Sequence, residues 1–338
     1  MHCDKRATIL IFVFLLVASY VPSSVAPILV YRKKFAMGTV FEIAAYDRSP
    51  VHAATAIEGA FQEIVRQDDL LSNYKADSAL SKLNRSAHFH EEQVPRDLYR
   101  VIEQSIRYSR LSDGEFDTSV APLVDLWKAG LAGGAMPSPE QQQEVRHCVG
   151  YEKIQLLPPD RIVFQSPCLR LDLGAIGKGY AVDRAADVLR SAGIWNALIN
   201  AGGSTILAMG SPPGQAAWLV RLRDPSHKID PQVMLTDQSV STSEQSSPSL
   251  LGIDSPGHII DPNTGSPLKT EFAISAVAKT ATDSDALSTT LLLVGPERGK
   301  ALLQNMPDAA AIWISPKGRK EMVNQGSKIS LKDDAHAL

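Results

Sequence analysis

Apolar and polar positions divide this chain into an amino-terminal apolar run, a helix-rich stretch and a strand-rich stretch. The segment Phe35-Ala36-Met37-Gly38-Thr39-Val40-Phe41-Glu42-Ile43 alternates in part and predicts a strand. Ala56, Ala60, Ile64 and Leu71 recur at helical spacing and predict a helix over 51–71. A second helix is expected from about Pro95, a favourable first-turn residue, to Leu111, where Ser112-Asp113-Gly114 stops it. Residues 131–139, rich in Gly and Pro, read as a flexible loop before a short polar helix ending at His147.

From about residue 151 the texture changes to short strands. Segments 151–157, 161–165 and 169–173 predict a meander, and a helix follows from Gly177 to Ala192. Further strands are expected at 196–200, 204–209, 217–223, 238–242, 272–278 and 309–314, interrupted by a helix from Ser284 to Val294. Mixed, mostly antiparallel strands with helices on one side imply an α+β fold of two intimately associated lobes, not a doubly wound sheet. With no repeat and no long linker, residues 27–338 read as a single domain.

The first 26 residues stand apart. Lys5 and Arg6 precede an apolar run from Ala7 to Ala18, and Ser24-Val25-Ala26 supplies small residues suited to signal peptidase. A run of about twelve is short for a membrane span and matches a secretory signal. Pro27 opposes cleavage there, so an uncleaved anchor is the alternative. Both readings predict export, to the periplasm or the outer face of the inner membrane.

Composition narrows the partners. Hydrophobic content of 44% and charged content of 21% are ordinary for a globular protein. The net charge of −3 comes with no basic stripe, so nucleic acid is not expected. Of three cysteines, Cys3 would leave with the signal. Cys148 and Cys168 are then either a disulfide in an oxidising compartment or two small buried hydrophobes, and spacing alone leaves both open.

Candidate chemistry concentrates in Leu171-Asp172-Leu173-Gly174-Ala175-Ile176-Gly177-Lys178-Gly179. A carboxylate enters a glycine turn, and the turn opens a helix carrying a lysine. Glycines let backbone approach a ligand, and a helix start offers N–H groups to anions. This combination suits a phosphorylated ligand with its own metal. Asp285, Ser288 and Thr289 fall at i, i+3 and i+4 on one helix face, an all-oxygen set suited to Mg²⁺ or Ca²⁺. The same stretch also reads as a plain helix capped by Asp283 or Ser284. His258 leads into the turn Asp261-Pro262-Asn263-Thr264-Gly265 and is either a general base or structural. Tyr74 and Phe116 either flank a flat ring or anchor loops on the core.

Taken in order, these blocks resemble the ApbE family of FAD:protein FMN transferases. The resemblance runs through Met37-Gly38-Thr39, Tyr74, Asp113-Gly114-Glu115-Phe116-Asp117, Asp172–Asp183, Asn200-Ala201-Gly202-Gly203, His258–Gly265 and Asp285–Thr289, or about residues 35–315. It implies an α+β fold with T-fold-related elements. It implies that Met37, Tyr74, Glu115, Phe116, Asp117, Asp172, Lys178 and Ile259 line an FAD site. It further implies that Asp285, Thr289 and the Ala175 carbonyl hold Mg²⁺, with Ser288 where some members carry a second aspartate. The implied reaction is Mg-dependent transfer of the FMN part of FAD to a threonine hydroxyl, releasing AMP, with His258 as the candidate base. The implied acceptor is a threonine-bearing flavin domain of an exported or membrane redox protein. Two other readings fit the same site: an FAD pyrophosphatase giving FMN and AMP, and a non-catalytic exported FAD-binding protein.

Overall fold

Met37 and Gly38 split the first expected strand in two. In a computed structural model, which describes residues 26–245, 258–324 and 329–331, both adopt positive φ, 49° and 73°. A two-residue turn of that hand joins antiparallel strands without splaying them. The chain over 35–43 is therefore a hairpin, with Phe35 opposite Val40 and Ala36 opposite Thr39.

In chain order the first elements are β1 (Ile28–Ala36), β2 (Thr39–Asp47), α1 (Pro50–Leu71), α2 (Ala79–Ser86), β3 (Glu92–Gln93) and α3 (Arg96–Leu111). Then come α4 (Ala121–Ala132), α5 (Pro139–Arg146), β4 (Ile154–Leu157), β5 (Arg161–Phe164) and α6 (Gly177–Ser191). Strands β6 (Asn196–Ala201), β7 (Thr205–Met209), β8 (Trp218–Arg221), β9 (Pro231–Leu235) and β10 (Gln238–Glu244) follow. The last are β11 (Ile260–Asp261), β12 (Ser266–Pro267), β13 (Ala273–Ala278), α7 (Ala281–Leu303), β14 (Ala310–Ile314), β15 (Lys320–Asn324) and β16 (Ile329–Leu331).

Eight strands form one antiparallel sheet in the order β1-β2-β6-β7-β10-β13-β14-β15. Alternation decides its two faces. On β14, Ala311 and Trp313 turn toward the helices, while Ala310, Ile312 and Ile314 turn toward the small sheet β16-β9-β8. Helices α1, α6 and α7 cover the first face. The expected α+β class, with helices collected on one side, is what the chain forms.

Several local expectations change. Residues 169–173 make no strand; a single bridge joins Arg170 to Val120. The side chain of Asn84 holds this segment instead, donating to the Leu171 carbonyl at 2.9 Å and accepting from its amide at 2.8 Å. The meander partner is β3, in the order β3-β5-β4. Helices α2 and α4 went unpredicted, and α4 runs to the edge of the expected loop at 131–139. Pro95 is the N-cap of α3 and not its first-turn residue. Helix α7 begins three residues before Ser284, is capped by Thr280, and continues past Val294 through a kink at Gly295. Cys148 and Cys168 form a disulfide. The proposed signal or anchor, up to Val25, lies outside the described residues.

Candidate functional site

The closest approach of two helices builds the centre of the site. A Cβ on Gly179 would fall 2.2 Å from the Ala281 carbonyl oxygen and 2.7 Å from the Asp285 Cβ, so only glycine lets α6 lie this near α7. The approach lets the Gly179 amide donate to Asp285 Oδ2 at 2.8 Å. Asp183, on the same helix, fixes the start of α7 by accepting from the Ala281 and Thr282 amides at 2.9 and 2.8 Å. Burial pushes the Asp183 carboxyl up from its ordinary range, against the pull of those hydrogen bonds.

Strand β10 supplies the opposite wall. Its serines at every second position face α7: Ser239 bonds Ser284 at 2.8 Å, Ser241 donates to Asp285 Oδ1 at 3.2 Å, and Ser243 bonds Ser288 and Thr289 at 2.8 and 3.1 Å. Thr205 on β7 adds a donor to Asp285 Oδ1 at 3.1 Å. Asp285 is thus buried but well supplied with donors, as a buried carboxylate requires.

A cavity of about 450 Å³ opens beside this cluster. Of the thirteen residues singled out from sequence, eleven line it: Tyr74, Glu115, Phe116, Asp117, Asp172, Ala175, Lys178, His258, Ile259, Asp285 and Thr289. Met37 lies instead in an adjoining cavity of about 340 Å³, which shares Tyr74, Asp172 and Lys178 with the first. Ser288 lines neither. It is fully buried, donating to the Asp285 carbonyl at 2.9 Å and bonded to Ser243, so it faces β10 and not the cavity.

The glycine turn differs from its expected character. The Gly174 amide donates to Asp172 Oδ1 at 2.7 Å, Gly177 to the Leu173 carbonyl at 2.7 Å, and Gly179 to Asp285. These three glycine amides, expected to meet an anion, are already paired within the protein. The Lys178 ammonium stands at the cavity wall and reaches the Gly174 carbonyl at only 3.5 Å.

Other side chains are set for different tasks. Tyr74 is 85% exposed at the lip, with the Lys128 ammonium 5.0 Å from its ring centroid. Phe116 is buried against Tyr108, their ring centroids 6.0 Å apart. Glu115 is paired with Arg298 at 2.6 Å. Asp117 accepts from the Ser119 and Tyr151 amides at 2.7 and 2.8 Å, yet burial outweighs these bonds and pushes its carboxyl up to about 6. His258 is exposed at the surface, yet desolvation of its ring first and the nearby Lys178 charge second lower its pKa from the ordinary 6.5. The lowered pKa favours the neutral imidazole, the form that accepts a proton.

Sequence reasoning missed Lys128, Ser204, Arg223 and Glu244, which also line the cavity. The period-two serines of β10 were a usable signal for a polar strand face; nothing local marks Arg223. The loop over 133–138 lines neither cavity, because it turns back on α4 through the Ala135 amide and the Gly130 carbonyl.

The donor set suits a hard cation. Asp285 and Thr289 border the cavity beside Ala175, all offering oxygen. Among the described residues no group of three or more His, Cys, Asp or Glu side chains converges to hold a metal. One carboxylate with neutral oxygens leaves charge that a ligand's phosphates would balance.

A sequence profile of the ApbE family matches residues 37–313. Among curated relatives, the FAD:protein FMN transferase of Treponema pallidum is 31% identical over 313 residues, 85% of each chain. That of Klebsiella pneumoniae is 30% identical over 279 residues, 78% of this chain and 83% of the relative. Among solved structures, the flavin transferase ApbE of Vibrio cholerae superposes with a TM-score of 0.74 at 26% identity, covering 90% of this chain and 97% of its own. The apo flavinyl transferase ApbE of Pseudomonas stutzeri gives 0.76 at 26% identity, with 90% and 95% covered.

Proposed function

This chain belongs to the ApbE family, and we propose that it works as an FAD:protein FMN transferase using Mg²⁺, a threonine acceptor and His258 as base. The transferase activity itself follows from the family and its relatives. The finer chemistry rests on one observation: His258 and Lys178 share a cavity with Asp285 and Thr289, although these residues lie far apart in sequence.

Mg²⁺, when held by Asp285, Thr289 and the Ala175 carbonyl, would neutralise charge on the FAD pyrophosphate. Lys178 would bind the phosphate oxygens and stabilise the charge that grows on them. Neutral His258 would take the proton from the threonine hydroxyl as its oxygen bonds to the FMN-side phosphorus. The bond from that phosphorus to the bridging oxygen then breaks, and AMP departs with the electron pair. Asp117 would border the bound FAD, with the exposed Tyr74 ring at the lip, while Phe116, buried against Tyr108, would anchor the loop that carries Asp117.

The acceptor, in this reading, is a threonine-bearing domain of an exported or membrane redox protein. The Cys148–Cys168 disulfide supports export, since such bonds persist in oxidising compartments.

His258→Ala should retain FAD binding and lose most transfer; undiminished turnover in that variant would remove His258 from the mechanism. Incubation with FAD and Mg²⁺ without acceptor separates transfer from hydrolysis. Slow AMP release is expected, and rapid release would favour the pyrophosphatase.

A further inference from the structure

The side chain of Gln245 makes four hydrogen bonds, all to the backbone at the base of one hairpin. Its Nε2 donates to the carbonyls of Ile259 at 2.9 Å and Leu268 at 3.0 Å. Its Oε1 accepts from the amides of His258 at 3.1 Å and Ile259 at 3.0 Å. A carboxamide offers two donor hydrogens and two acceptor lone pairs, so this one segment takes up the whole capacity of the group. The pairing also fixes which way the amide points, because the flipped group would set N–H against N–H.

Position gives these bonds a consequence. The β11–β12 ladder begins only at Ile260 opposite Pro267, so the amides of His258 and Ile259 lie beyond it. Gln245 directly follows β10, whose Ser241 and Ser243 bond Asp285 and Thr289. The far end of the hairpin is held separately: Trp127 donates to the Gly265 carbonyl, and Ser266 to Gln142, both at 2.8 Å. Gln245 is the short connection between the backbone of His258 and the strand that lines the oxygen cluster.

We propose that Gln245 is a positioning residue that sets the His258 imidazole at its working distance from Asp285 and Thr289. The inference rests on the assignment of His258 as base. A misplacement of about 1 Å at a reacting group lowers rate by about 10²-fold, so the effect falls on turnover and not on FAD binding.

Gln245→Glu keeps the shape but sets carboxylate oxygens against the Ile259 and Leu268 carbonyls. At saturating Mg²⁺ and acceptor, kcat is expected to fall by about 10-fold or more, with the KM for FAD unchanged within about 2-fold. In a His258→Ala background the same substitution should change the residual rate by less than about 2-fold, because the two residues act as a unit. Wild-type kcat in Gln245→Glu, or an equal loss in both backgrounds, would overturn the proposal. Full activity in His258→Ala alone would instead overturn the assignment of the base. Should Gln245→Glu fail to fold, hydrogen exchange on the unmodified chain decides: the His258 and Ile259 amides should be protected, and exchange at free-peptide rates refutes the clamp.

Discussion

The Gly179 amide donates to the Asp285 carboxylate at 2.8 Å across 106 positions of sequence, with no room for a methyl group between the helices. This contact joins the glycine turn to the helix that carries the oxygen cluster. Gly179→Ala must push α6 away from α7 and leave Asp285 one donor short. Overpacking of this kind lowers stability by about 1–3 kcal/mol, and Mg²⁺-dependent FAD turnover should fall with it. Thermal unfolding together with transfer assays would check this; a variant with unchanged melting and activity would show that the close approach does no work.

Asp117 makes folding stability depend on pH in a stated direction. Its carboxyl is raised by burial from 3.8 to about 6 in the folded protein. The folded state therefore binds the proton more tightly than the unfolded chain does. The stability this adds is present below pH 4 and is lost as pH rises toward 6, up to about 3 kcal/mol. Carboxylates held low, such as Asp224 at about 2, act in the opposite sense. The contribution is thus read as a difference: Asp117→Asn should lose less stability than the unmodified chain between pH 4 and 6. Parallel denaturation curves across that range would refute it.

Burial first and Lys178 second hold His258 below its ordinary 6.5. With His258 as the proposed base, the acid limb of the transfer rate should lie below pH 6.5, the imidazole being neutral above it. Lys178→Met removes the smaller of the two causes, so at saturating FAD the limb should move part of the way up. A limb that stays in place would separate His258 from the charge of Lys178.

The Cys148–Cys168 bond closes a loop across 20 positions, with Asp117 bonded to Tyr151 inside it. Reduction or Cys148→Ser should lower stability by about 2–4 kcal/mol. Melting with and without reductant measures this, and no shift would mean that the loop is held by its hydrogen bonds alone.

Much of this site was legible because its motifs carry chemistry in local order. The block Asp172 to Asp183 and the i, i+3, i+4 set at Asp285 announce a carboxylate, a cation and hydroxyls without any fold. What the sequence hid was which groups already have partners. Three glycine-turn amides looked available to a ligand, yet two are paired within the turn and the third bonds Asp285. Ser288 shares the helix face of Asp285 and Thr289 by spacing, but the β10 serines draw it away from the cavity. The hairpin at Met37 was hidden because a non-glycine residue adopts positive φ there. Helix α4 escaped because burial of Leu123 and Trp127 against Ile260, more than local propensity, decides it.

The most direct test incubates the purified chain with FAD, Mg²⁺ and a threonine-bearing flavin-acceptor domain, then weighs the intact acceptor. The unmodified chain should add one FMN at that threonine with one AMP released, and Asp285→Asn should add almost none. An acceptor left unlabelled by the unmodified chain, or labelled equally by the Asp285→Asn variant, would contradict the account.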